Sequence, residues 1–155
     1  MNTEKPTDSL PQNKIIWIEL PEFELLCFKL ARELYERYEP IPDFITRHHG
    51  ILESCLETPR QKFSGKFLYP TLINQASILF YLLVKNHPFQ NGNKRIALTT
   101  LLVFLALNGG WLKVKSYDLY KIAIKVAESK PSEKDNILKY IKTFVKINLI
   151  PLPKT

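Results

Sequence analysis

Two long stretches of the chain, residues 72–84 and 96–107, carry apolar residues at every third or fourth position. This spacing predicts a helix in each stretch. The second stretch is apolar on nearly every side, and a helix of that kind lies in the middle of a core. The polar segment between the two stretches is therefore predicted to form a loop held between buried helices. Its sequence is His87-Pro88-Phe89-Gln90-Asn91-Gly92-Asn93-Lys94-Arg95.

Further helices are predicted by the same apolar spacing. One begins at Pro21 and continues to about Tyr38, with a predicted apolar stripe of Phe23, Leu26, Leu30, Leu34 and Tyr35. Others are predicted over residues 43–57, 117–129 and 131–147. Residues 14–18 are short and β-branched, which indicates a strand or an extended segment laid on the core.

The segment from Thr58 to Pro70 differs from the helical stretches. Ser64-Gly65 lies at its centre, aromatic residues lie on both sides, and three residues are basic. Serine and glycine are typical of tight turns. The segment is therefore predicted to be a hairpin or an open loop between helices.

The length and composition of the chain fit a single domain. It has 155 residues, 45% of them hydrophobic, and we expect one all-α domain over residues 14–150 after a flexible arm at 1–13, with a loose tail from Pro151 to Thr155. No apolar run reaches the roughly 18 to 20 residues that span a bilayer, and the polar N-terminus is no signal peptide. Cys27 and Cys55 are unclustered, which favours reduced core thiols and the cytoplasm.

The formal net charge of +7 comes mainly from the later part of the chain. Residues 113–146 contain nine lysines against four acidic residues. A solvated helix face accounts for this excess, and an acidic partner is the alternative. Nucleic acid is not expected as a partner, because no aromatic residues alternate with the arginines and no known nucleic-acid motif is present.

The polar loop has the composition of a phosphate cradle. The first N–H groups of a helix lack partners within the helix, and the helix dipole makes that end positive. Gly92 tolerates a positive φ and lets a ligand approach the backbone, while Lys94 and Arg95 add positive side chains. His87 at the loop entrance is a candidate base. Together these residues indicate transfer of a phosphate-containing group.

The same loop resembles the signature of the Fic/Doc superfamily, and in particular its death-on-curing branch. The resemblance rests on His87-Pro88-Phe89, Gly92-Asn93 and Lys94-Arg95 without a gap. It implies a compact all-α Fic/Doc fold with a central buried helix and a short hairpin flap. Most Fic members transfer AMP from ATP to protein hydroxyls. The similar death-on-curing toxin transfers the γ-phosphate to elongation factor Tu.

The resemblance assigns roles to individual residues. It makes His87 the general base on the target hydroxyl and Phe89 a core anchor for the loop. It places Gly92, Asn93, Lys94 and Arg95 at the nucleotide phosphates. The flap residues Lys62, Phe63 and Lys66 would dock the target by strand addition. ATP and Mg²⁺ are the implied substrate and cofactor. Lys85 either reaches the nucleotide or is an ordinary exposed lysine.

Three positions depart from the usual Fic pattern. Lys94 replaces a glycine, and Leu98 replaces a second arginine; both favour phosphate transfer over AMP transfer. Asn91 replaces the acid that holds magnesium, which predicts a weak metal site at most. The inhibitory pattern of many Fic proteins has only a poor counterpart at Ser129 to Glu133, where Pro131 intervenes. A separate antitoxin is therefore expected.

Three hypotheses follow for the function. The first is a death-on-curing-like toxin that phosphorylates a Ser or Thr hydroxyl of a target protein such as elongation factor Tu. The second is an enzyme of the same superfamily that transfers AMP to a protein hydroxyl. The third is a weakened nucleotide- or partner-binding module, because Asn91 lacks the charge of the usual metal ligand.

Overall fold

A computed structural model describes residues 14–34 and 39–153 of the chain. Within these residues the fold is mostly helical. The helices are α1 (Leu20–Glu22, Phe23–Phe28 and Lys29–Leu34 in succession), α2 (Ile51–Glu57), α3 (Leu72–Lys85), α4 (Asn93–Leu107), α5 (Ser116–Glu128) and α6 (Lys134–Asn148). Single 3₁₀ turns lie at Phe44–Thr46, Thr58–Arg60 and Pro131–Glu133.

Helix α4 is the central buried helix, as predicted. It packs against α1, α3 and α5, and the fully or nearly fully buried side chains along it include Ile96, Ala97, Leu98, Leu101, Phe104 and Leu105. The hydroxyls of Thr99 and Thr100 are also buried and donate to the carbonyls of Arg95 and Ile96 one turn earlier. These bonds satisfy the polar groups that an all-apolar environment would otherwise leave unpaired.

The apolar stripe predicted for α1 was correct only at Phe23, which is buried. Leu26, Leu30 and Leu34 are exposed. The other buried residues of the helix are Cys27, Phe28 and Ala31. The middle of this helix, Phe23–Phe28, is π-helical. Because a π turn bonds residue i to i+5, it rotates the following residues relative to an α-helix and changes which of them face the core. The predicted residue Tyr35 lies outside the described residues.

Two short antiparallel hairpins accompany the helices. Strand β1 (Lys62–Phe63) pairs with β2 (Lys66–Phe67), which confirms the predicted hairpin. Strand β3 (Gly110–Leu112) pairs with β4 (Leu149–Pro151), so Pro151 belongs to a strand and not to a loose tail. This second pair joins residues far apart in the sequence and was not predicted.

Some of the remaining predictions for the chain are confirmed and others are corrected. Residues 15–19 form an extended segment on the core without strand pairing, and Asn108 exchanges hydrogen bonds with the N–H and C=O of Ile16. Of the helix predicted over 43–57, only Ile51–Glu57 is α-helical, and Gly50, with a φ of +86°, is its N-cap. Cys27 and Cys55 are buried and free, as expected. The predicted arm at 1–13 lies outside the described residues. No helix in the described part of the chain is long and apolar enough to cross a bilayer.

Candidate active site

The signature loop, residues 87–95, joins α3 to α4 and is anchored by one aromatic ring. Phe89 is 1% exposed and stacks on Phe23 and Phe28, with ring centroids 6.3 and 5.3 Å away. Phe44 also lies against it, with centroids 6.1 Å apart. The loop is therefore attached to the core through an aromatic cluster, and the prediction of Phe89 as a core anchor is confirmed.

Asn93 closes the loop on itself. Its Oδ1 accepts the N–H of Phe89 at 3.0 Å, and its Nδ2 donates to the Phe89 carbonyl at 2.7 Å. Both halves of the side-chain amide are thus used inside the protein. A phosphate contact by Asn93 would therefore come from its backbone N–H, and the predicted phosphate-binding role of the residue stays a prediction.

His87 stands at the edge of the loop with an exposed side chain. Its φ of +47° is unusual for a residue with a Cβ, although histidine tolerates this region better than most residues. Nδ1 lies 3.5 Å from Asn93 Nδ2, the outer limit of a hydrogen bond, and Nε2 has no hydrogen-bond partner within the described residues. The imidazole is therefore accessible to a substrate hydroxyl.

The N-terminus of α4 supplies the anion-binding end of the site. Gly92 is the N-cap, with a φ of +82°, and the N–H of Ile96 is the first that bonds back into the helix, to the Gly92 carbonyl. The N–H groups of Asn93, Lys94 and Arg95 find no acceptor in the part of the chain that the structure describes. Lys94 and Arg95 are half-exposed beside them. These free donors, the helix dipole and two cations together favour a bound phosphate.

A segment that is distant in sequence lies against this helix end. We call residues 39–42, Glu39-Pro40-Ile41-Pro42, the strap. The Arg95 guanidinium donates to the Glu39 carbonyl at 2.7 Å, and Asn91 Nδ2 donates to the Pro40 carbonyl at 3.2 Å. Ile41 is buried, and its Cγ1 would lie 2.7 Å from a Cβ built on Gly92. Gly92 is thus required by both its φ and this close approach.

The side chains around Asn91 do not fit a protein-held magnesium ion. The loop contains no Asp or Glu, and Asn91 Oδ1 already accepts the N–H of Gly92 at 2.8 Å. No group of three or more His, Cys, Asp or Glu side chains that could hold a metal occurs in residues 14–34 or 39–153. A hard cation is held most strongly by charged oxygens, and this loop has no charged side-chain oxygen.

Lys85 does not point towards the loop. Its Nζ donates to the carbonyls of Ala127 and Ser129 at the C-terminal end of α5. A lysine at that position complements the negative end of a helix dipole. The possibility that Lys85 reaches a nucleotide is therefore not supported. Two further residues of the site, Glu39 and Pro40, were not predicted, because they lie more than 50 positions from the loop residues that they contact.

The hairpin of β1 and β2 is a protruding, basic and aromatic element. It turns at Ser64 and Gly65, both with positive φ, as a two-residue hairpin turn requires. Lys62 and Lys66 are exposed, and Phe63 is 73% exposed. Trp17 fixes the base of the hairpin to the core, since it contacts Phe67 on one side and Phe104 of α4 on the other. The three predicted docking residues thus lie together on one accessible hairpin.

A separate groove of about 670 Å³ lies between α5 and α6. Its walls combine apolar residues such as Ile122 and Phe144 with Lys121 and Lys125 and with three acidic side chains. None of the predicted site residues lines it. The lysines of residues 113–146 are all exposed or half-exposed, as expected of solvated side chains.

Comparisons with known proteins match the region that contains the loop. The model of the family described as Fic/DOC matches residues 23–105. The Toxin Doc of Mycolicibacterium smegmatis (strain ATCC 700084 / mc(2)155) is 35% identical over 63 residues, which are 41% of this chain and 48% of that protein. The match thus spans about half the length of this curated relative. No solved structure matches the chain significantly.

Proposed function

The chain belongs to the Fic/DOC family, and from that premise we propose that it is a Doc-type toxin enzyme. The proposed reaction transfers the γ-phosphate of ATP to a Ser or Thr hydroxyl of a target protein such as elongation factor Tu. One observation carries the proposal: the accessible imidazole of His87 belongs to the same short loop as the free N-terminus of α4. A base and an anion site in one loop suit attack of a hydroxyl on a phosphate.

In the proposed step the target hydroxyl oxygen forms a bond to the γ-phosphorus. The bond from that phosphorus to the bridging oxygen breaks, and ADP leaves. The hydroxyl proton passes to the unprotonated ring nitrogen of His87. The N–H groups that begin α4, together with Lys94 and Arg95, hold the negative oxygens of the phosphates throughout. The hairpin bearing Lys62, Phe63 and Lys66 is the proposed docking site, where an extended target segment adds a strand.

Phosphate transfer is proposed over AMP transfer because of two positions in α4. Lys94 brings bulk and charge to the helix end where AMP-transferring members have glycine. Leu98 occupies the position of their second arginine, and it is 3% exposed, so its side chain packs into the core. The site therefore lacks the second arginine of the AMP-transferring pattern, and its additional cation, Lys94, lies at the start of the helix instead.

A weakened nucleotide- or partner-binding module is the second candidate, and Asn91 is the observation that favours it. Without a carboxylate in the loop, one stabilising charge on the transferring group is lost.

ATP is the proposed phosphate donor, and Mg²⁺ is proposed as its counter-ion, held chiefly by the phosphate oxygens. We also propose a cytoplasmic location and a separate antitoxin. The chain's own Glu133 accepts the Lys130 N–H, which supports a separate antitoxin over an inhibitory glutamate within the chain.

Purified elongation factor Tu tests the proposal directly. It would be incubated with ATP, Mg²⁺ and wild-type protein, and phosphorylated residues would be sought by mass spectrometry. His87→Ala should abolish the product, while His49→Ala, which removes an exposed histidine outside the loop, should leave it unchanged. A product that survives His87→Ala would contradict the assigned base. If elongation factor Tu stays unmodified but another protein is phosphorylated when a bacterial cytosolic extract is used in its place, the target would be corrected and the reaction would stand.

A further inference from the structure

We propose that Asn91 is a positioning residue that fastens the strap to the signature loop and so holds the Arg95 guanidinium over the N-terminus of α4. The inference rests on the proposed nucleotide site, because it assigns a residue's task within that site. It also explains why an amide stands at a position where the resemblance led us to expect a carboxylate.

The two hydrogen bonds to the strap act as a pair. Asn91 donates to the carbonyl of Pro40, and Arg95 donates to the carbonyl of the preceding residue, Glu39. Each carbonyl fixes one side of the strap, so loosening one bond changes the position of the other acceptor. The Arg95 Nη2 lies 3.3 Å from the Cβ position of Gly92, which shows that the guanidinium folds back over the helix end.

Only an amide satisfies both contacts of Asn91. Its Oδ1 accepts the Gly92 N–H while its Nδ2 donates to Pro40. An aspartate has no donor, so its carboxylate would face the Pro40 carbonyl oxygen with like partial charges. An alanine would make neither bond. Restoring the acid of the usual pattern should therefore loosen the strap in this chain.

The strap is also attached through Ile41, and the chain that follows it is attached through His48. Ile41 is buried against Gly92, and the N–H of His48 donates to the Pro88 carbonyl at 2.9 Å. These contacts should keep the domain folded when the Asn91 bond is lost. The expected consequence is a local increase in motion of residues 39–48 with unchanged protection of the core, which distinguishes a tether from a general contribution to stability.

The experiment compares wild type with Asn91→Asp and Asn91→Ala. Gln90→Glu is the matched control, because it places a negative charge on the neighbouring exposed residue without touching the strap. Hydrogen exchange of the ligand-free proteins would be followed at residues 39–48 and, for comparison, in α5. ATP affinity would be measured by titration calorimetry with and without Mg²⁺.

Both Asn91 variants should exchange faster at residues 39–48, while exchange in α5 stays unchanged. Both should also bind ATP about two- to tenfold more weakly, which corresponds to the loss of one hydrogen bond. The weakening should be the same with and without Mg²⁺, and Gln90→Glu should match wild type at residues 39–48. Unchanged exchange in both Asn91 variants would overturn the tether. Tighter Mg²⁺-dependent binding by Asn91→Asp, with weaker binding by Asn91→Ala, would make residue 91 a metal-ligand position. Wild-type protein that binds no ATP would contradict the proposed function, and the exchange measurement would still decide the tether.

Discussion

The side-chain amide of Asn93 bonds both the N–H and the C=O of Phe89, at 3.0 and 2.7 Å. It therefore holds the backbone of the signature loop in a closed turn above the aromatic cluster. The closed turn runs from Phe89 to Asn93, so it contains Gly92 and begins two residues after His87. An asparagine that the motif alone assigns to phosphate binding serves first to shape the loop.

Asn93→Ala should lower the free energy of unfolding by about 1–3 kcal/mol, since it leaves two half-buried backbone groups without partners. Urea denaturation measures the change. Gln90→Ala, at an exposed position in the same loop, should have an effect within about 0.5 kcal/mol. Equal stability of Asn93→Ala and wild type would mean that the turn does not depend on the amide.

Gly92→Ala and Gly109→Ala form a matched pair. Both glycines have positive φ, +82° and +86°, so both substitutions carry the same backbone strain. A Cβ at Gly109 meets open space, whereas one at Gly92 meets Ile41 Cγ1 at 2.7 Å. We expect Gly92→Ala to be the more destabilising by about 1–3 kcal/mol, the usual result of overpacking. Thermal unfolding of both variants measures the difference. Equal losses of stability would show that the strap shifts to accommodate the added Cβ.

Phe63→Ala should weaken modification of the target without changing ATP affinity. The ring is 73% exposed on the hairpin and contributes little to the core, so its value lies in contact with another molecule. Tyr117→Ala removes a ring of similar exposure, 70%, from α5 and serves as the control. Transfer rates at limiting target concentration measure the effect. A loss of ATP binding in Phe63→Ala would contradict a docking role.

The two thiols should be protected from reagents in the folded protein. Burial raises the pKa of Cys27 from 9.0 to about 12 and that of Cys55 to about 11, although hydrogen bonds involving Thr100 and Asn86 act in the opposite direction. At pH 8, iodoacetamide should label neither cysteine until urea unfolds the chain. Because both pKa values are raised in the folded state, burial of the neutral thiols stabilises the fold fully below about pH 9. This stabilisation is lost as the pH rises towards 11–12. Rapid labelling of native protein would contradict this burial.

Much of the site follows from sequence because its determinants are local. The positions of His87, Gly92 and the start of α4 depend on residues that are neighbours in the chain, and the spacing of apolar residues fixes the helices on both sides. The Ser64-Gly65 turn is local in the same sense, and the hairpin was predicted correctly. Elements of this kind are determined by turn chemistry and periodicity.

The structure differs from the sequence-based predictions where a feature depends on residues far apart in the chain or on a non-standard helical turn. The π turn at Phe23–Phe28 reassigns the core face of α1, and apolar spacing carries no signal for such a turn. The strap contacts depend on how α1 and the signature loop meet in space, so nothing near Arg95 in sequence points to Glu39. The pairing of β3 with β4 has the same origin, since residues 110–112 and 149–151 are brought together only by the completed fold.

The most direct test of the proposed reaction is the position of the phosphorus that is transferred. A bacterial cytosolic extract would be incubated with the protein, Mg²⁺ and ATP labelled at either the α- or the γ-phosphate, with His87→Ala as the control. We predict protein-bound label from γ-labelled ATP only, and none with His87→Ala. Label from α-labelled ATP would contradict phosphate transfer and assign AMP transfer instead. Label from neither position, with ATP still bound, would leave the chain a nucleotide-binding module.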